Sequence, residues 1–454
     1  MRAQSSSARP PGPPAAPLIG HSLQFSRDPL RLLTRAARDC GDVALLSLGG
    51  NDVYFLSHPD LVREVLAVQR TKFDLSAIRH RLELVLGLGL ITSRGDLHTQ
   101  QRRLMQPVFR KSRVDLHAPV MIGYAERQSE RWSSGSEIDV NAEMTALSQR
   151  IAAKTLFDHE VGDESDVMVR DLGTIMEFYS ARISPFMYLS LKLPLPSTFR
   201  FRRAVRRFDA AIYQMIEQRR ANPANRADLL SLLLQAKDDE TNRRMDARQV
   251  RDEMITLFGA GHETVANALA WTLYLLARTP SAQAALLAET QAVLGGRPRF
   301  DAADAGRLRY ARQVLLEGLR LYPPVWFIGR RAMEDVQLGP HRVPKGTNVL
   351  LSQYVVQRDP RWFEDPHAFR PERWTEAFMK GLHLGAYFPF SAGERHCIGE
   401  GFAWLETTLV LATLAAHWRF DAPPGSSDVG TTPSITLRPD RPIRVRVERR
   451  LPTT

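Results

Sequence analysis

The chain has 454 residues, 44% of them hydrophobic and 24% charged, an ordinary globular balance that excludes a disordered chain. Its 61 Lys and Arg against 50 Asp and Glu leave a formal charge of +11. That fits a solvated basic surface, a docking face for an acidic protein, or a nucleic-acid binder. With no zinc-finger spacing, RNP-like motif or aromatic-interleaved basic strand, nucleic acid ranks last.

Residues 1–17 are rich in Ser, Pro and Ala, and Pro10-Pro11-Gly12-Pro13-Pro14 rules out helix or central strand, so a flexible or polyproline-like lead is expected. No linker, charge block or repeat divides residues 18–454, which read as one large domain. No apolar signal region follows the start, and the apolar run Val265 to Ala277 is too short to span a bilayer. A cytoplasmic protein with no membrane span follows, and a monomer is expected.

Asp42 to Leu48 and Val53 to Ser57 read as strands joined by Gly49-Gly50-Asn51-Asp52. Apolar residues at three- and four-residue spacing then predict helices over Pro59 to Val68, Asp96 to Phe109, Val114 to Trp132, Val140 to Phe157, Asp166 to Arg182 and Phe199 to Asn222. A long helix from Asp246 to Arg278 follows, then helices from Ser281 to Leu294 and from Tyr310 to Leu321, the last stopped by Pro323-Pro324. Strand-like pieces return at Gln337 to Val343, Thr347 to Ser352 and Ile435 to Val447. The fold class is mainly α with small β sheets.

Two cysteines far apart, Cys40 and Cys397, argue against a structural disulfide. Cys40 has no motif around it and reads as structural. Cys397 lies in Phe390-Ser391-Ala392-Gly393-Glu394-Arg395-His396-Cys397-Ile398-Gly399, ahead of an apolar helical run to His417. Unpaired N–H groups and the positive dipole at a helix mouth favour thiolate, which makes Cys397 a candidate metal ligand. A thiolate pushes electron density onto iron and favours O–O cleavage. Gly393 allows a tight turn, Gly399 lets the backbone approach a flat cofactor, Phe390 can shield the sulfur, and Arg395 offers charge to a propionate.

In Ala260-Gly261-His262-Glu263-Thr264 the long helix accepts Gly261 at a cost of about 1 kcal/mol against Ala, and Thr264 is a weak helix former. Glu317-Gly318-Leu319-Arg320 puts both charges on one helical face, and Phe369-Arg370-Pro371-Glu372-Arg373-Trp374 follows in a loop.

The cysteine segment matches at every fixed place the Phe-x-x-Gly-x-Arg-x-Cys-x-Gly signature of the cytochrome P450 family, which the chain resembles from hairpin to cysteine loop in the expected order. The resemblance implies the triangular, mainly helical haem fold of a soluble bacterial member, with heme b held by Cys397. It further implies that Thr264 hydrogen-bonds dioxygen while Glu263 feeds a proton relay, and that Glu317, Arg320 and Arg373 lock the core. His98 and Arg102, in His98-Thr99-Gln100-Gln101-Arg102, would hold one propionate, and Arg330, or Arg331 beside it, would meet another. Val265 stands where many relatives carry a second hydroxyl, and Trp374 where Phe is usual.

The implied reaction is monooxygenation, a hydroxylation or epoxidation of a lipophilic small molecule of terpenoid, fatty-acyl or polyketide type, as in secondary metabolism. No nucleotide fingerprint or flavin domain follows the cysteine helix, so a separate ferredoxin or flavodoxin and its reductase supply electrons. Leu82 to Leu90, Phe178 to Leu191 and Val325-Trp326-Phe327 are candidate pocket linings. A peroxygenase, an oxidative coupling enzyme and a non-catalytic haem sensor are the alternatives. Arg102, Arg103, Arg395 and His396 would carry the docking charge.

Overall fold

The computed structural model describes residues 9–76, 82–83, 86–160, 167–180, 193, 195–222, 228–238, 240 and 242–450. These form two compact units, one of Met1–Leu82, Arg320–Ala368 and Thr375–Cys397, the other of Glu83–Leu319, Phe369–Trp374 and Ile398–Thr454.

The first unit is built on a five-stranded sheet in the spatial order Val43–Leu48, Asn51–Leu56, Asn348–Leu351, Ile328–Ala332, Phe73–Leu75. The second and third strands run parallel, and every other pair is antiparallel. The hairpin turn is tighter than the four residues expected. Asn51 and Asp52 already belong to the strand, which leaves Gly49 and Gly50 at φ 60° and 77°, where a side chain would be strained. Val43, Leu56, Val62, Leu66, Ile328, Val349, Leu351 and Phe388 pack in one apolar core.

From Arg9 on, the proline lead is extended and anchored. Pro11 accepts a hydrogen bond from the Leu45 amide at 2.8 Å. His21 accepts from the Ser47 amide at 2.9 Å on Nδ1, so its Nε2 carries the hydrogen that faces the Pro13 carbonyl at 3.0 Å. The Pro29–Cys40 helix is an addition to the expected elements, capped by Asp28 and opened by Pro29. The expected Pro59 to Val68 helix is α over Pro59–Arg63 and a wider π turn over Glu64–Val68.

The second unit is helical. Ala247–Ala277 is capped by the Asp246 side chain, which accepts from the Gln249 amide, and packs along Val140–Phe157. Glu400–His417 packs against Ala118–Ser129 and Pro280–Leu294. Strands Glu137–Asp139, Arg444–Arg449 and Trp418–Asp421 make an antiparallel sheet with Arg444–Arg449 in the middle, and Thr431–Pro433 pairs with Leu437–Pro439. In the first unit, Gln337 to Val343, expected as one strand-like piece, is a hairpin of Val336–Leu338 and His341–Val343, because Gly339 turns at φ 55°.

Candidate active site

The cysteine loop is shaped by its backbone. The Cys397 amide donates to the Phe390 carbonyl at 2.9 Å and the His396 amide to Gly393 at 3.0 Å, which folds Gly393–Arg395 into a 3-10 turn. Gly393 is required twice over. Its φ is 69°, and a Cβ there would come within 1.9 Å of the Leu66 carbonyl oxygen in the π turn. Cys397 is solvent-exposed and neither cysteine forms a disulfide, while burial pushes the Cys40 thiol up. Among the described residues no side chain caps the helix that starts at Glu400 after Gly399. Phe390 is half-buried.

Strand alternation separates the two adjacent arginines of Ile328–Ala332. Arg331 is exposed and donates to the Gly346 carbonyl at 3.0 Å, while Arg330 is turned inward with 8% of its surface exposed. Among the described residues no carboxylate lies within ion-pair distance of Arg330. Burial, and then Arg395, pushes its guanidinium down to about 10, against the pull of Asp74. Asp74 is 4.0 Å from Arg395. A buried cation held down by a second cation lacks an anion, so these residues fit the carboxylate of a haem propionate.

In the second unit, the Gly95–Met105 helix carries His98, buried, and Arg102, half-buried, one turn apart on the same face. On the long helix the Thr264 hydroxyl donates to the Ala260 carbonyl at 2.7 Å, and a Cβ on Gly261 would meet nothing within 4 Å. Glu263 is buried against the Thr431–Pro433/Leu437–Pro439 ladder. Its Oε1 accepts from Arg438 at 2.7 and 2.8 Å and from the Thr436 hydroxyl. The sequence pattern gives neither Arg438 nor Thr436 a role at Glu263, because only the fold brings them there.

Glu317 is fully buried. Its Oε1 accepts from the Arg370 amide and from Arg373 Nε, each at 3.0 Å, and its Oε2 accepts from the Trp374 indole at 2.8 Å. The structure thus brings Glu317 and Arg373 together and adds Trp374, whose N–H a phenylalanine would lack. Arg320, in the first unit, is fully buried and donates to the carbonyls of Gln357, Pro366 and Ala368 at 3.0, 2.6 and 3.0 Å.

Of the expected linings, Trp326 is buried beside Phe327, while 84–85 and 181–191 lie outside the described residues. Arg103, one of the residues expected to carry docking charge, is paired with Asp238 at 3.2 Å and with Glu240. Among the described residues no helix is long and apolar enough to cross a membrane.

The family described as Cytochrome P450 matches residues 10–447. Cyclooctatin synthase of Streptomyces melanosporofaciens is 40% identical over 94% of this chain and 92% of its own length. Cyclooctat-9-en-7-ol 5-monooxygenase of the same organism is 35% identical over 91% and 90%. The crystal structure of the cytochrome P450DA heme domain superposes with a TM-score of 0.88 at 25% identity, over 98% of both chains. Sequence, fold and cysteine loop agree, and the chain belongs to the cytochrome P450 family, oxygen-incorporating oxidoreductases whose haem iron is held by a cysteine thiolate.

Proposed function

We propose that this protein is a monooxygenase of a lipophilic terpenoid-type molecule, working as a single haem domain over 18–454 in which Cys397 would hold the haem iron. The observation that carries it is the cysteine loop, where Gly393 tucks under the π turn and leaves Cys397 as an exposed thiol three positions ahead of an uncapped helix. Haem, when bound, supplies dioxygen activation, so that with two electrons and two protons one oxygen atom enters a C–H or C=C bond and the other leaves as water. Arg330 and Arg395 would bind one propionate, and His98 and Arg102 the other. Phe390, Gly393 and Gly399 shape the wall around the sulfur. Thr264, whose hydroxyl hydrogen is given to Ala260, keeps its oxygen lone pairs for a proton donor. Glu263 joins a relay only when its Arg438 pair opens.

The names cyclooctatin synthase and cyclooctat-9-en-7-ol 5-monooxygenase favour a terpenoid substrate over a fatty-acyl or polyketide one. A separate ferredoxin or flavodoxin and its reductase supply the electrons. The test is the carbon monoxide spectrum of the reduced protein, followed by turnover of cyclic terpenes under labelled dioxygen. The expected results are the red-shifted thiolate band, lost in Cys397→Ser, and label in the product. An unchanged spectrum in that variant, or product without label, refutes the assignment.

A further inference from the structure

Thr264, Ala260, Thr256 and Glu253 follow one another upstream along the long helix at steps of four, four and three residues, which places them on one face. Glu253 stands about three turns, or about 16 Å, from Thr264. Glu253 is 0% exposed, Thr256 2% and Gln101 0%. Each has an oxygen with no hydrogen-bond partner among the described residues: Glu253 Oε1, Thr256 Oγ1 and Gln101 Oε1.

One short segment gathers the three. Glu253 Oε2 accepts from the Leu90 amide at 2.9 Å, and Gln101 Nε2 donates to the Leu88 carbonyl at 2.6 Å. Asp252 fixes the same segment by accepting from the Leu88 amide at 2.9 Å. Gly89 lies so close to the helix that a Cβ would come within 2.2 Å of Thr256 Oγ1. A buried polar group without a partner is costly, so three beside one segment mark a place where a partner belongs. That partner must both give and take a hydrogen. Burial pushes the Glu253 carboxyl up to about 8, Asp252 pushing the same way against the Leu90 amide, so near neutrality the acid is protonated. The acid and Thr256 can then donate, and Gln101 Oε1 can only accept. A neutral hydroxyl satisfies all three, whereas a carboxylate would face an acceptor and an ammonium would find no charge.

We propose that Glu253, Thr256 and Gln101 recognise a hydroxyl group of the substrate, so that the enzyme acts on a terpenoid that already carries an oxygen. The inference rests on the monooxygenase reading above and narrows its substrate. The enzyme that installs that hydroxyl must then act before this one.

The test uses haem-loaded protein and a panel of cyclic terpene hydrocarbons of 15 and 20 carbons, each paired with its monohydroxy derivative. Binding is read from the spectral shift that follows displacement of water from the iron, and turnover from product formed. At least one alcohol should bind about tenfold or more tighter than its hydrocarbon. In Thr256→Val and in Glu253→Gln, which keeps an acceptor for the Leu90 amide, that preference should fall by about tenfold, with hydrocarbon affinity, the thiolate spectrum and melting temperature at about pH 5 nearly unchanged. Equal binding of alcohol and hydrocarbon by the parent, or a preference that survives both variants, overturns the inference and leaves the monooxygenase reading intact. Variants that lose melting temperature with the preference unaltered show that the three oxygens hold ordered water, which also overturns it. If no terpene of either kind binds or turns over on protein with the thiolate spectrum, the terpenoid reading falls and this inference with it.

Discussion

Trp374 illustrates how one side chain completes a buried charge. The Glu317 carboxylate is wholly out of water, and its Oε2 has the Trp374 indole as a donor at 2.8 Å. Trp374→Phe should cost about 1–3 kcal/mol by orphaning that oxygen and opening space beside it, which urea denaturation of the loaded protein will read. Thr264 is the complementary case, a side chain whose loss leaves packing intact. Thr264→Ala should keep the thiolate spectrum and substrate binding while diverting electrons to peroxide, because the proton-holding hydroxyl is gone. Peroxide formed per electron pair is the measurement, and equal coupling in variant and parent would remove Thr264 from proton delivery.

Helices that could be read locally could be read from the sequence. Val140–Phe157 matches its expected bounds, since apolar periodicity runs to a left-handed stop at Asp158, and Ala247–Ala277 ends within a residue of expectation at each side. The cysteine loop was legible for the same reason, its geometry being held within ten residues. What escaped was set by distant chain. Nothing local announces that Arg438, 175 residues on, will hold Glu263, or that Leu66 will close on Gly393. The π turn that brings Leu66 there has an ordinary helical pattern. The Glu400–His417 helix yields a prediction of its own. Its Glu406 is 2% exposed, its Oε1 has no hydrogen-bond partner among the described residues, and burial pushes the carboxyl up to about 8. Ser148 is near enough to oppose that slightly, although its hydroxyl makes no hydrogen bond of ordinary geometry. The folded state therefore holds this proton more tightly than the unfolded chain. Stability is full below the ordinary carboxylate range, declines as pH rises towards 8, and levels off above it. Glu406→Gln should make melting temperature fall less steeply with pH between about 5 and 8 and raise it by a few degrees at pH 8, leaving the slope that Glu253, pushed up to about 8 as well, contributes with the same sign. A variant that melts lower than the parent at pH 8 would mean that Glu406 ionises in a paired state.

At the scale of the whole molecule the charge of +11 becomes a kinetic quantity. Many of the arginines are spent internally, as Arg103 is on Asp238 and Glu240 and Arg70 on Glu394 at 2.6 Å, so the field seen by an approaching protein is smaller than the count. Reduction of the iron by an acidic ferredoxin should still slow several-fold as ionic strength rises from about 0.01 to 0.15 M, over which the screening length shortens from about 30 to 8 Å. Reduction by dithionite should change much less, and equal salt sensitivity for both reductants would make the basic balance a solvated surface only. The proline lead acts at this scale as well. Val43–Leu48 is an outer strand of its sheet, and such a border is a template on which a second chain can add itself. Pro11 and Pro13 occupy the seam with carbonyls that Leu45 and His21 use, while their ring nitrogens offer no hydrogen to a newcomer. The lead therefore works as a selvage, finishing the fabric so that it does not ravel into neighbouring copies. A chain trimmed to begin at Leu18 keeps every residue of the proposed haem and substrate machinery, yet it should scatter more light as its concentration rises.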